Sequence, residues 1–78
     1  MSETKIFLKE IDDVKEFVNL VMLESYDVDL VSGRYAVDAK SIMGIFSLDL
    51  SEPVVLKAHT DDADELFEKL EAKGYIVK

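Results

Sequence analysis

The chain has 78 residues, 49% hydrophobic and 33% charged, with no cysteine, so we expect one folded domain over residues 1–78 without disulfides or a thiolate metal site. A net charge of −8 repels phosphate backbones and anionic lipid surfaces, which excludes nucleic acid and membranes as expected partners. Neither a secretory signal nor an apolar run of bilayer length is visible, and we therefore expect a soluble cytoplasmic protein.

The first segments predict a strand followed by a helix. The apolar run Ile6–Leu8 is compatible with a short strand. Asp13 lies three residues before Glu16, an arrangement typical of a capping box at a helix start. Helical spacing then gives one apolar stripe, which we expect to face the core: Val14, Phe17, Val18, Val21 and Met22.

The middle of the chain predicts a hairpin and a fourth strand. Apolar residues alternate with polar or small ones on both sides of Ser32 and Gly33, as in two strands joined by a tight turn. The alternating residues are Val28, Leu30, Tyr35, Val37 and Ala39. Residues 54–59 are rich in β-formers and follow Pro53, which is tolerated at the start of a strand.

A last helix is indicated by a second apolar stripe. Its members are Ala63, Leu66, Phe67 and Leu70. Acidic residues precede the stripe, and Gly74 is placed to end the helix. Between the hairpin and the fourth strand, residues 41–48 form a short helical segment with more apolar residues than one buried stripe requires.

Residues 40–48 read Lys-Ser-Ile-Met-Gly-Ile-Phe-Ser-Leu. This segment resembles the regulatory-serine segment of HPr, the small phosphocarrier of the bacterial sugar phosphotransferase system, and the resemblance extends over residues 33–74. It implies an α+β fold, the HPr-like open-faced β-sandwich. In that fold, a four-stranded antiparallel sheet in the order 1-4-2-3 carries three helices on one face.

The resemblance also implies a set of site residues. Ser41 corresponds to the serine that the family's regulatory kinase phosphorylates, and Ile42, Met43 and Phe46 correspond to an apolar patch that docks partner proteins. Each has a purely structural alternative, since Ser41 can cap the short helix and some of the apolar residues must enter the core.

The sequence departs from the family where the first strand leads into the first helix. Family members carry a Gly, His, Ala, Arg, Pro pattern there, and the histidine takes the phosphate. Residues 10–15 of this chain read Glu-Ile-Asp-Asp-Val-Lys, and carboxylates at that corner would repel a phosphate donor. We interpret Asp12 and Asp13 as helix-capping residues, although an acyl phosphate is chemically conceivable there.

His59 is the only histidine. Strand alternation predicts that it faces solvent from the open side of the sheet, opposite the core residues Val54, Leu56 and Ala58, and far from the relay corner. The acidic residues Asp61, Asp62, Asp64 and Glu65 lack the spacing of a calcium loop, so they are interpreted as helix-dipole charges.

These observations favour a non-enzymatic regulatory or docking protein related to the phosphotransferase system, with no metal and no cofactor. The expected partners are other proteins, such as phosphotransferase enzymes, a serine kinase or a transcriptional regulator. Two alternatives stay open: a phosphocarrier component that uses an unrecognised acceptor, and an interaction domain that shares only the fold.

Overall fold

The structure is a computed structural model that describes residues 1–77. Four strands form one antiparallel sheet in the order β1-β4-β2-β3, as predicted. The elements in chain order are β1 (Ser2–Ile6), α1 (Ile11–Met22), β2 (Val28–Ser32), β3 (Tyr35–Asp38), α2 (Ile42–Phe46), β4 (Val54–Ala58) and α3 (Asp64–Ala72).

The core lies between one face of the sheet and the helices. Alternation along β4 buries Val54, Leu56 and Ala58, while the intervening Val55 and Lys57 are only partly buried on the open face. From α1 the core takes Val14, Phe17, Val18 and Val21, and from α3 it takes Leu66 and Leu70. The two helical stripes predicted from spacing therefore supply most of the helix side of the core.

Both predicted glycine turns are confirmed. Gly33 has a φ of 59° in the two-residue turn between β2 and β3, where glycine avoids the strain of a left-handed conformation. Gly74 has a φ of 81° just after α3, and its N–H bonds the carbonyl of Glu71 at 2.9 Å while the N–H of Tyr75 bonds that of Leu70 at 3.1 Å. This is a Schellman termination, which ends the helix at the predicted glycine.

The first strand was placed wrongly by the sequence pattern. The prediction centred it on Ile6–Leu8, whereas β1 spans Ser2–Ile6 and pairs Ser2 with Ala58 and Ile6 with Val54. The strand is therefore defined by its pairing with β4, and its exposed residues Glu3 and Lys5 gave no apolar signal.

The start of α1 also differs from the prediction. The helix begins at Ile11, and the side chain of Asp13 accepts a hydrogen bond from the backbone N–H of Glu10 at 3.2 Å. The capping box therefore pairs Glu10 with Asp13. Glu16 instead accepts a hydrogen bond from the Tyr75 hydroxyl at 2.8 Å.

Two members of the predicted stripes are not buried. Met22, the last residue of α1, is 60% exposed, because the stripe reaches the end of the helix beyond the part that packs on the core. Phe67 is only partly buried and packs against the edge of the core.

The segment after α3 adds a contact that the sequence did not predict. The N–H of Phe7 bonds the carbonyl of Tyr75 at 2.8 Å, and the N–H of Val77 bonds the carbonyl of Lys5 at 2.9 Å. The Tyr75 ring is buried, and its burial together with the bond to Glu16 raises the pKa of its hydroxyl. The bond from Tyr75, with the charge of Lys73, lowers the pKa of Glu16.

Candidate functional site

The turn between β3 and α2 positions Ser41. The side chain of Asp38 accepts a hydrogen bond from the N–H of Lys40 at 2.9 Å, and the backbone carbonyl of Asp38 accepts one from the N–H of Ser41 at 3.0 Å. Ser41 has an extended backbone conformation, and its Oγ accepts a hydrogen bond from the N–H of Gly44 at 3.2 Å. The structural role expected for Ser41, the N-cap of α2, is therefore present.

Lys40 connects this turn to the end of α1. Its Nζ donates a hydrogen bond to the carbonyl of Glu24 at 3.0 Å, just beyond the last residue of the helix. A cation is favourable there because the carbonyl end of a helix carries partial negative charge. The hydrogen bond thereby links the residue before Ser41 to the segment that follows α1.

The apolar residues of α2 divide into inward and outward groups. Ile45 is fully buried, and Ile42 is partly buried against the core. Met43 is 78% exposed and Phe46 is 42% exposed. Of the three residues predicted to dock partners, Met43 and Phe46 are thus the most available, and Ile42 contributes only the part that it keeps outside the core.

Gly44 allows α2 to approach the sheet closely. A Cβ at this position would lie 3.3 Å from the Cβ of Val37 and 3.4 Å from the Oγ of Ser41. The distance to Val37 is tighter than an ordinary van der Waals contact and the distance to Ser41 is at its limit, so a side chain would require a shift of a few tenths of an ångström between α2 and β3. Glycine keeps the short helix close to β3 and fixes which of its residues face outward.

α1 carries two further exposed apolar residues, Ile11 at 63% and Met22 at 60%. Helical spacing puts both on one flank of α1, whereas Glu16, which bonds Tyr75, lies on the flank toward α3. α1 packs against both α2 and α3, and Ile11 and Met22 lie on a side of α1 different from the flank of Glu16 that meets the end of α3. We call the set Ile11, Met22, Met43 and Phe46 the α1–α2 surface.

The α1 half of this surface was not predicted from the sequence. Met22 was assigned to the core, and Ile11 was read only as part of the acidic corner. The sequence did contain an indication of this exposure. Met22 is the last member of the apolar stripe, at the end of the helix, where contact with the core is least assured.

The corner between β1 and α1 holds carboxylates. Glu10 is the N-cap residue, and Asp12 and Asp13 lie in the first turn of the helix, where negative charge is favourable. Asp13 takes part in the capping box as its third helical residue, not as the N-cap residue that was predicted, and no capping hydrogen bond to Asp12 is found within residues 1–77. The structure therefore brings no imidazole to this corner.

His59 lies at the other end of the sheet, as predicted. It follows Ala58, which pairs with Ser2 at the start of β1, whereas Glu10 comes after the end of β1. Its Nε2 lies 2.8 Å from Oδ2 of Asp29, and its backbone N–H bonds the carbonyl of Asp27 at 2.9 Å. The ring is exposed and bonded to β2, at the end of the sheet opposite the carboxylate corner.

The acidic residues before and within α3 act locally. Asp64 and Glu65 occupy the first turn of the helix, and the side chain of Asp62 accepts a hydrogen bond from the N–H of Asp64 at 3.1 Å. Across residues 1–77, no group of three or more His, Cys, Asp or Glu side chains could hold a metal ion. No helix in the same range is long and apolar enough to cross a membrane.

Comparison with known proteins relates this geometry to a family. No protein-family model and no curated protein matches the chain. Among solved structures, HPr-C-His from Thermoanaerobacter tengcongensis is 32% identical with a TM-score of 0.77, and the match covers 92% of this chain and 89% of that one. Crh from Bacillus subtilis is 30% identical with a TM-score of 0.67, with 94% and 88% covered.

A third match supports the fold alone. The phosphocarrier protein HPr from Bacillus anthracis is 24% identical with a TM-score of 0.69, over 91% of this chain and 93% of that one. The identities of 30% and 32% over nearly the whole length extend the likeness beyond the fold. The chain therefore belongs to the HPr family.

Proposed function

We propose that this chain is a non-enzymatic docking and regulatory protein related to the phosphotransferase system. The observation that carries the proposal is the exposure of Met43 and Phe46 in α2, the short helix whose N-cap is Ser41. Exposed large apolar side chains grouped on one side of a small domain are typical of a protein-binding site. Ile11 and Met22 extend the group onto α1.

The partner in this proposal is a protein. The net charge of −8 disfavours phosphate backbones, and an apolar surface offers nothing that would recognise them. HPr-like proteins interact with other proteins, such as phosphotransferase enzymes, so the class of partner agrees with the family.

Phosphoryl relay through histidine is not part of the proposed function. The family's relay corner is occupied here by Glu10, Asp12 and Asp13, and like charges would oppose the approach of a phosphorylated donor. His59 is bound to Asp29 at the opposite end of the sheet.

Ser41 is the proposed regulatory phosphorylation site. A phosphate adds roughly −1.5 to −2 charge at neutral pH. At this position it would lie at the start of α2, next in the chain to Ile42 and Met43. The added charge would oppose docking of an apolar partner and offer an arginine-bearing partner a new contact.

Substitutions of Ser41 test this role. Ser41→Asp keeps a capping oxygen, so the free energy of unfolding is expected to stay nearly unchanged, while Ser41→Ala is expected to lose about 1 kcal/mol. Chemical denaturation measures both. Affinity capture from lysate of the source organism, followed by quantitative mass spectrometry, should give a different partner set for Ser41→Asp than for the wild type.

The matched control is Ser25→Asp, the same chemical change in the exposed loop after α1. It is expected to capture the wild-type partners. If Ser41→Asp also captured the wild-type set in unchanged amounts, charge at Ser41 would have no regulatory effect and this part of the proposal would fail.

A further inference from the structure

The two edges of the sheet differ in whether another segment of the chain pairs with them. β1 is the first strand of the order β1-β4-β2-β3, and its outer side is paired with residues 75–77 through the Phe7 and Val77 hydrogen bonds. β3 is the strand at the other edge, and no strand within residues 1–77 lies beyond it. An uncovered edge is a template for pairing with another chain.

The backbone of Ala36 points away from the sheet. The N–H of Ala39 bonds the carbonyl of Val28 at 2.8 Å, and the β2–β3 register then directs the hydrogen-bonding groups of Val37 and Tyr35 toward β2 as well. Alternation leaves the N–H and C=O of Ala36 directed outward, with no backbone partner in the described chain. Its small exposed side chain leaves room for a neighbouring strand.

The residues around Ala36 are complementary to themselves. In an antiparallel pairing centred on Ala36, Tyr35 of each copy lies opposite Val37 of the other. Arg34, the turn residue just before β3, then comes level with Asp38 of the other copy, whose side chain also accepts the hydrogen bond from the Lys40 N–H. Arg34 is the only arginine of the chain and forms no ion pair within residues 1–77. Tyr35 is 73% exposed, so the ring of each copy is available to contact Val37 of the other.

We propose that the β3 edge binds a second copy of this chain, with a two-fold axis through Ala36 that joins the two sheets into one of eight strands. The pairing adds two backbone hydrogen bonds between the Ala36 residues, two opposite-charge pairs and two aromatic to β-branched contacts, each favourable across antiparallel strands. None of these contacts uses a residue of the α1–α2 surface, so the proposal stands apart from the proposed function.

The charge pattern selects a second copy over other occupants. A partner of unrelated sequence would have to supply an acid and a base at the same separation, whereas the two-fold pairing supplies them from Arg34 and Asp38 alone. Repulsion between two chains of net charge −8 opposes association, but salt at physiological strength screens it beyond about 8 Å. The short contact predicts a weak, concentration-dependent dimer.

Sedimentation equilibrium over a wide range of protein concentration tests the proposal. For the wild type, the average mass is expected to rise from 8.8 kDa toward twice that value. Arg34→Asp and Asp38→Arg each put like charges opposite one another at both ends of the pairing, and each is expected to weaken dimerisation by about tenfold or more. An equimolar mixture of the two variants has opposite charges at both ends and is expected to dimerise again.

Lys9→Asp and Glu68→Arg make the same changes of charge at exposed positions away from β3, and they are expected to dimerise like the wild type. Circular dichroism confirms that each variant is folded. A mass of 8.8 kDa at every concentration, a dimer unaffected by both β3 variants, or a mixture that stays monomeric would overturn the proposal.

Discussion

Phe17→Ala is expected to lower the free energy of unfolding by about 3 to 5 kcal/mol, the usual range for removing a buried aromatic side chain. Phe17 is fully buried in α1 and is the largest such side chain of the core. Its removal leaves a cavity that the surrounding strands and helices can fill only in part. Because small domains are stable by only about 5 to 15 kcal/mol, a substantial share of the molecules could unfold.

Chemical denaturation measures this loss, and Phe67→Ala is the matched control. Phe67 is the same residue type on α3, but it is only partly buried, so its truncation should cost clearly less. Equal losses for the two variants would contradict the packing described above, as would a loss below about 1 kcal/mol for Phe17→Ala.

Met43→Glu is expected to abolish capture of every partner that uses the α1–α2 surface, with little change in stability. Met43 is 78% exposed and is the second residue of α2, so a carboxylate there is solvated in the free protein. In a complex with an apolar partner, the same carboxylate would lose its water without gaining a hydrogen bond. Surface substitutions of this kind usually change stability by less than about 0.5 kcal/mol.

The measurement is affinity capture from lysate of the source organism, with quantification of each bound protein. Ala72→Glu is the control because it adds the same charge at an exposed position on α3. It should retain the partners that Met43→Glu loses. Unchanged capture by Met43→Glu would show that partners bind elsewhere on the domain.

Much of the fold could be predicted because local spacing and long-range packing agree in it. The apolar stripe of α1, the alternation in β4 and the glycine turn at Gly33 each indicate one structure, and each is confirmed. The strand order came from the resemblance of residues 40–48 to the family, since several α+β folds share the same succession of elements.

The remaining features depend on contacts that local spacing does not contain. Residues 75–77 pair with β1, which lies at the other end of the sequence. The segment is too short to show a hydrophobic pattern from which this pairing could be predicted. Met22 continues the α1 stripe in sequence, yet its exposure depends on where α2 and the core end. For the same reason, the α1 half of the candidate site could not be separated from core packing by spacing alone.

The most direct test of the proposed function is an attempt to phosphorylate the purified protein. Phosphoenolpyruvate and the first enzyme of the phosphotransferase system would be supplied, with the phosphocarrier protein HPr of Bacillus anthracis as the positive control, and intact mass would be measured before and after mild acid. We expect no acid-labile phosphate on this chain, because its relay corner holds carboxylates and His59 lies at the opposite end of the sheet. The expectation would be contradicted by a mass increase of one phosphate that mild acid removes and that is absent in His59→Ala.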